Sequence, residues 1–211
     1  MTNISPVAQI ISVCVKYKIL DHVRNTIQTG KIPSKDQWKY MVLKVINDLE
    51  FSSWRLDTKM YHHLLLFRTV ILKIEPCVWW NVAKAVRGLK PACCTMVRLL
   101  SSCNCLRLNK DVITESHQRI CVHCELQELE NEEHFVMRCS SFSFIRQNMF
   151  ESIFNNVAVE TRDVLNNIPV NIVFYILMGM TYPICENDIM LIRIISSFHV
   201  NKMYKSRSSL E

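Results

Sequence analysis

The chain has 211 residues, 49% of them hydrophobic and 21% charged, with 25 Lys and Arg against 19 Asp and Glu. That apolar share excludes a disordered chain, and 3 Gly with 6 Pro exclude collagen-like and linker-like ones. So few glycines also argue against a turn-rich β-sandwich and leave no Gly-rich phosphate loop.

The first residues carry no early Lys or Arg, and the apolar stretch 7–15 is too short and interrupted for a secretory signal. The longest late apolar run, 172–180, falls well below the ~18–20 residues that span a bilayer. These features predict a soluble intracellular protein, nuclear or cytoplasmic, with no membrane partner. In a reducing compartment its 10 Cys read as metal ligands and small buried residues, not as disulfides.

Helical periodicity dominates. Gly30, Lys31, Ile32, Pro33 and Ser34 form a turn, and Ser34 with Gln37 three residues on makes a capping box. Trp38, Met41, Val42, Val45, Ile46 and Leu49 then fall at helical spacing. Asp57 or Thr58 is expected to cap a second helix carrying Tyr61, Leu64, Leu65, Phe67, Val70, Ile71 and Ile74, ended by Glu75 before Pro76. Trp79, Trp80, Val82, Ala83 and Val86 predict a third helix closing near Gly88, and Pro91 starts a fourth with Met96, Leu99 and Leu100. Residues 101–120 are polar and irregular. Helical stripes resume with Phe142, Ile145, Met149, Phe150 and Ile153, then with Ile172, Val173, Ile176, Leu177 and Met180. A final helix carries Ile189, Ile192, Ile195 and Phe198, with Lys202, Lys205 and Arg207 suiting the negative end of its dipole.

Between these stripes lies Cys121-x2-Cys124-x9-His134-x4-Cys139. Two cysteines separated by two residues form a knuckle whose sulfurs face one centre. A His and a Cys five apart on a short helix can reach that centre from the other side. Three thiolates and one imidazole complete the tetrahedral shell of a structural zinc site, one Zn²⁺ per chain, with no open position for a catalytic water. Phe135 and Val136 would form the small core of such a finger. His123, His117, Cys103 and Cys105 are rival ligands with poorer spacing. Cys93 and Cys94, about 100° apart on a helix, read as packing residues. Cys14, Cys77 and Cys185 read as core. A thiol–disulfide centre at Cys121 and Cys124 would need a βαβ setting that the helical surroundings do not offer. A zinc deaminase would have to build His123 and Glu125 into the same residues as the Cys pair.

The charge is uneven. Residues 1–120 hold 18 basic and 8 acidic side chains, whereas 121–139 hold Arg138 against Glu125, Glu128, Glu130, Glu132 and Glu133. The finger therefore reads as acidic. If the protein binds RNA or DNA, the basic part should supply the phosphate contacts, with Lys84, Arg87, Lys90, Arg98, Arg107 and Lys110 as candidates. Trp79 and Trp80 are near enough to stack on bases, although paired tryptophans on a short helix commonly pack in a core.

Arg119-x-Cys121-x2-Cys124, the Glu-rich spacer, Glu133-His134-Phe135, Arg138-Cys139 and Phe144-Ile145-Arg146 together resemble the C-terminal zinc-binding region of reverse transcriptases from animal non-LTR (LINE-type) retroelements. Tyr61, Phe67 and Glu75 are similar to a helix that precedes the finger there, and residues 99–108 to its Arg- and Leu-containing run. The resemblance covers roughly residues 55–155 and is tightest over 119–146. In place of the family's Gly-Arg-Tyr-like element, residues 109–113 read Asn-Lys-Asp-Val-Ile. No Tyr-x-Asp-Asp-like pair and no endonuclease carboxylate set is present. The resemblance implies a detached tail without polymerase activity of its own.

The sequence thus predicts a single all-α domain with an inserted Cys3His zinc-knuckle-like finger. A basic helical region over 1–110 and a finger over 111–140 should be followed by helices over 141–211 that pack on the same core. The expected function is non-enzymatic, zinc-stabilised nucleic-acid binding, with no small-molecule substrate. The alternative is a zinc-stapled protein–protein interaction module with the acidic finger as its contact surface, its partner a retroelement polymerase or another protein.

Overall fold

A computed structural model describes residues 5–72, 76–106 and 119–209. The protein is all-α, as expected: 74% of the described residues are helical, and they contain no strand, only one isolated antiparallel bridge between Ile120 and Leu129. No helix among them is long and apolar enough to cross a membrane. The chain divides into two compact units, residues 1–60 and 61–211, with the break inside the region expected to run from 1 to 110.

The first unit holds α1 (Pro6–Lys16), α2 (Leu20–Thr29) and α3 (Lys35–Lys59). The apolar stretch that fails as a secretory signal is thus a helix. Lys18, at φ 55°, makes the turn into α2, and Gly30, at φ 65°, supplies the left-handed residue that ends it. The capping box is present in both directions: Gln37 N donates to Ser34 Oγ at 3.3 Å, and Ser34 N donates to Gln37 Oε1 at 2.9 Å. Tyr17 Oη donates to Glu50 Oε1 at 2.7 Å and ties the end of α1 to α3. Asp57 and Thr58 do not cap a new helix. They lie in the last turn of α3, where Thr58 Oγ1 donates back to Arg55 O at 3.2 Å.

In the second unit the helix expected over 61–74 is short. A 3₁₀ turn, His62–Leu64, leads into α4 (Leu65–Val70), and Ile71 is already extended. Thr69, Val70 and Ile71 are three β-branched residues in a row, which are weak helix formers. Ile74 and Glu75 lie outside the described residues. α5 (Val78–Ala85), a 3₁₀ turn (Arg87–Leu89) and α6 (Lys90–Leu100) follow where the apolar spacing and Pro91 place them. After the finger come α7 (Ser143–Asn156), α8 (Val159–Asn167), α9 (Val170–Leu177) and α10 (Glu186–Ser208). The short, mostly polar α8 has no sequence stripe of its own.

α10 packs along both α6 and α7, and α5 lies on α6. Their shared core includes Trp79, Met96, Leu99, Leu106, Phe142, Met149, Ile153, Ile176, Val200 and Met203, all buried. Trp79 is fully enclosed, and its Nε1 donates to Met178 O at 3.2 Å. The next residue, Gly179, sits at φ 111°, and a Cβ there would come within 2.8 Å of Val78 Cγ2. Only glycine permits that approach without displacement. The finger joins the same core: Phe135 is fully buried and meets Phe142 edge-on at 5.2 Å and Tyr204 of α10 at 6.3 Å. It is therefore built into the helical unit and not appended to it.

The isolated cysteines correct the expectation of core positions. Cys185 is exposed at the N-cap of α10, and Cys14 and Cys77 are half-buried. Each sits at the margin of an apolar run, where sequence pattern does not separate a buried from an exposed side. Cys93 is buried and Cys94 exposed, as their angular offset on α6 requires.

Candidate metal centre

The first two ligand candidates stand at the base of a narrow hairpin. Cys121 N donates to Glu128 O at 2.9 Å, and Glu130 N donates to Arg119 O at 2.9 Å. These bonds close residues 119–130 into a loop with Cys121 and Cys124 on its inner side. The other two candidates bracket a π-helical turn, His134–Arg138, in which Cys139 N donates to His134 O at 2.7 Å. In an α-helix, residues five apart point about 140° apart. The wider turn brings His134 and Cys139 to one side, which the sequence spacing alone left to an ordinary short helix. Asn131 opens this turn, its Oδ1 accepting from His134 N at 2.7 Å.

The four ligand atoms of Cys121, Cys124, His134 and Cys139 lie within 4.8 Å of one another. Cys121 Sγ is 3.8 Å from Cys139 Sγ, and Cys124 Sγ is 3.4 Å from His134 Nε2. A tetrahedral ion with sulfur at ~2.3 Å and nitrogen at ~2.0 Å would set these edges at roughly 3.8 and 3.5 Å. The group can hold a metal ion. Three of its members are buried and Cys124 is half-buried. Among the rivals, His123, Cys103 and Cys105 are not in the group, and His117 lies outside the described residues. His123 instead offers its carbonyl to Ser141 Oγ. Cys105 Sγ accepts from Arg207 Nη1 at 3.3 Å.

The imidazole is oriented from behind. His134 Nδ1 is 2.9 Å from Glu128 Oε2, and Arg138 Nη1 donates to Glu128 Oε1 at 3.3 Å. The hydrogen bond from His134, aided by Arg138, holds the Glu128 carboxyl below its ordinary range. A carboxylate only accepts, so the proton sits on Nδ1 and the Nε2 lone pair faces the sulfurs. Glu128→Ala is expected to weaken metal binding about 10- to 100-fold, read by competition with a chelator of known affinity. Unchanged affinity would remove Glu128 from the site.

Burial pushes the Cys121 thiol up to about 12, with the neighbouring Cys139 adding to the rise, and burial also raises Cys139. Backbone N–H groups of His123 and Ser141 act in the opposite sense, favouring the thiolates. Both thiols are therefore protonated at neutral pH until a cation displaces the protons, and loading should release at least about two protons per chain. In the metal-free fold these pKa values lie above the ordinary 9.0. Their contribution to stability is complete below pH 9 and is lost as pH rises toward 12. Melting in chelator should show Tm falling across that window, and the fall should flatten in Cys121→Ala. A flat wild-type profile would contradict the assignment.

The acidic spacer is not an acidic surface. Glu128 serves His134. Glu130, fully buried, takes Arg207 Nε at 2.7 Å and Nη2 at 3.0 Å. Glu132, also buried, accepts from Ser102 Oγ at 3.2 Å and Asn104 Nδ2 at 3.0 Å. Alternation at 128, 130 and 132 sends these three carboxylates to internal partners and leaves Glu125 as the exposed one. What the hairpin exposes instead is apolar: Val122, Leu126 and Leu129.

Of the nucleic-acid candidates, Lys84, Arg87, Lys90 and Arg98 are exposed on α5, the turn after it and α6. Arg107 and Lys110 lie outside the described residues. Trp79 belongs to the core, whereas Trp80 is 55% exposed. No family model, curated protein or solved structure matches this chain.

Proposed function

We propose that the chain is a zinc-stapled nucleic-acid-binding domain with no catalytic activity of its own. Three thiolates and one imidazole in a small tetrahedral cage suit Zn²⁺ better than hard cations that prefer oxygen. A shell of four protein ligands has no place for a reactive water, so the ion serves as a staple. The resemblance of residues 119–146 to the zinc-binding tail of LINE-type reverse transcriptases supports the same reading.

One observation carries the binding half of the proposal. Residues 76–106 contain no Asp or Glu, and all four of their basic residues, Lys84, Arg87, Lys90 and Arg98, are exposed. Among the described residues no carboxylate pairs with any of the four. Exposed cations without carboxylate partners are the electrostatic footprint of a phosphate-binding surface. Titrating the zinc-loaded chain with RNA and DNA at several salt concentrations tests it. Four phosphate contacts predict a log–log slope of about −3 to −4. No binding at low salt would refute the reading.

The exposed Val122, Leu126 and Leu129 favour a second reading, a zinc-stapled protein-interaction module. Its contact would be the apolar edge of the hairpin and not an acidic surface.

A further inference from the structure

We infer that Trp80 is a base-stacking platform and that the α5–α6 face takes single-stranded in preference to duplex nucleic acid. The inference rests on the nucleic-acid reading above and names the strand type that this face would accept.

Trp79 fixes the rotation of α5. It is fully buried, its indole nitrogen is bonded to Met178 O at 3.2 Å, and its ring lies against Gly179. Successive helix residues point about 100° apart, so anchoring Trp79 turns Trp80 outward. Trp80 consequently presents more than half of its surface to solvent on a rigid helix. Lys84, one turn on, holds its ammonium over the Trp80 ring, 5.8 Å from the centroid. Arg87 and Lys90 follow, both exposed, in a stretch without a carboxylate.

An exposed aromatic with an ammonium at its ring matches the two halves of a nucleotide: the open ring face takes the base and the ammonium turns to the adjoining phosphate. Bases inside a duplex are already stacked on their neighbours and offer only their edges in the grooves, so an indole projecting from a helix gains nothing there. In a single strand every base has a free π-face, and the contact needs no particular sequence.

The test uses the zinc-loaded full chain and labelled, unstructured 15-mers of DNA and RNA, with a duplex of equal length. Fluorescence anisotropy at low salt should show tighter binding of the single strands. Trp80→Ala should weaken single-strand binding about 10- to 100-fold, while Trp80→Phe retains most of it. Duplex affinity should be unchanged in both variants. Lys84→Gln should instead lower the salt slope by about one. Wild-type melting curves for the variants establish that they fold. Single-strand binding unaffected by Trp80→Ala, or equal losses on single strand and duplex, would overturn the stacking role and leave the nucleic-acid reading standing. Absence of binding to every strand would remove that reading and the inference with it. Trp80 would then be an exposed anchor for a protein partner.

Discussion

Cys139→Ser is expected to weaken zinc binding strongly and to lower the Tm of the second unit by roughly 10 °C. Structural zinc sites contribute ~10–16 kcal/mol at neutral pH, or about 2.5–4 kcal/mol for each of four ligands. In a unit of this size, each kcal/mol moves Tm by about 2–4 °C. Serine nearly preserves the volume, so the loss reports on the ligand and not on a cavity. Cys139 is also where the finger meets the helices. Its N–H closes the π turn on His134, and its carbonyl accepts from Arg146 Nη1 of α7 at 3.0 Å. Phe135 and Phe142, on either side of it, share the helical core. Removing the metal should therefore loosen the whole second unit. Chelation should lower the Tm of one cooperative transition further than Cys139→Ser does, followed by circular dichroism or calorimetry, with metal content measured on the same samples. Wild-type melting in Cys139→Ser, together with no bound metal in the wild type, would reduce the four residues to packing.

The grouping of Cys121, Cys124, His134 and Cys139 was legible in the sequence because two-residue and four-residue spacings between sulfur and nitrogen donors have few structural alternatives. The capping box at Ser34 was legible for the same reason: it is local chemistry, satisfied within four residues. The helices of the second unit followed from apolar spacing where the stripe was long, as in α6. They failed where it was short or polar, as in α8, and where β-branched residues cut α4 to six residues. The π turn was not legible, since nothing in the residues 134–139 distinguishes i→i+5 from i→i+4 bonding. The largest misreading concerned charge. Five glutamates in nine residues read as an acidic surface, yet Glu130 and Glu132 are buried against Arg207 and the Ser102–Asn104 loop, and Glu128 is engaged by His134. Formal charge along a sequence does not say which carboxylates have internal partners, and those partners lie up to 77 residues away.

The most distant of these pairs predicts the second large effect. Arg207 reads from sequence as one of three cations at a helix terminus. In the fold it is fully buried and grips Glu130 with two nitrogens, at 2.7 and 3.0 Å. It thereby fastens the last turn of α10 to the hairpin that carries Cys121 and Cys124. Its guanidinium is committed to the interior and is unavailable to phosphate. Arg207→Met should cost about 3–5 kcal/mol, because it strands a buried carboxylate, and Tm should fall by roughly 10–15 °C. Exposed pairs such as Lys16 with Glu50 should leave Tm nearly unchanged when broken. The burial penalty is what separates the two cases, so the double variant Glu130→Leu with Arg207→Met should regain most of the loss, since two apolar side chains leave no charge to solvate. Zinc stoichiometry should stay at one in both variants, because Glu128, not Glu130, orients the imidazole. If Arg207→Met melts within a degree or two of wild type, the pair contributes no more than a surface bridge. If the double variant falls as far as the single one, the cost comes from lost packing at the α10–finger junction and not from an unpaired charge.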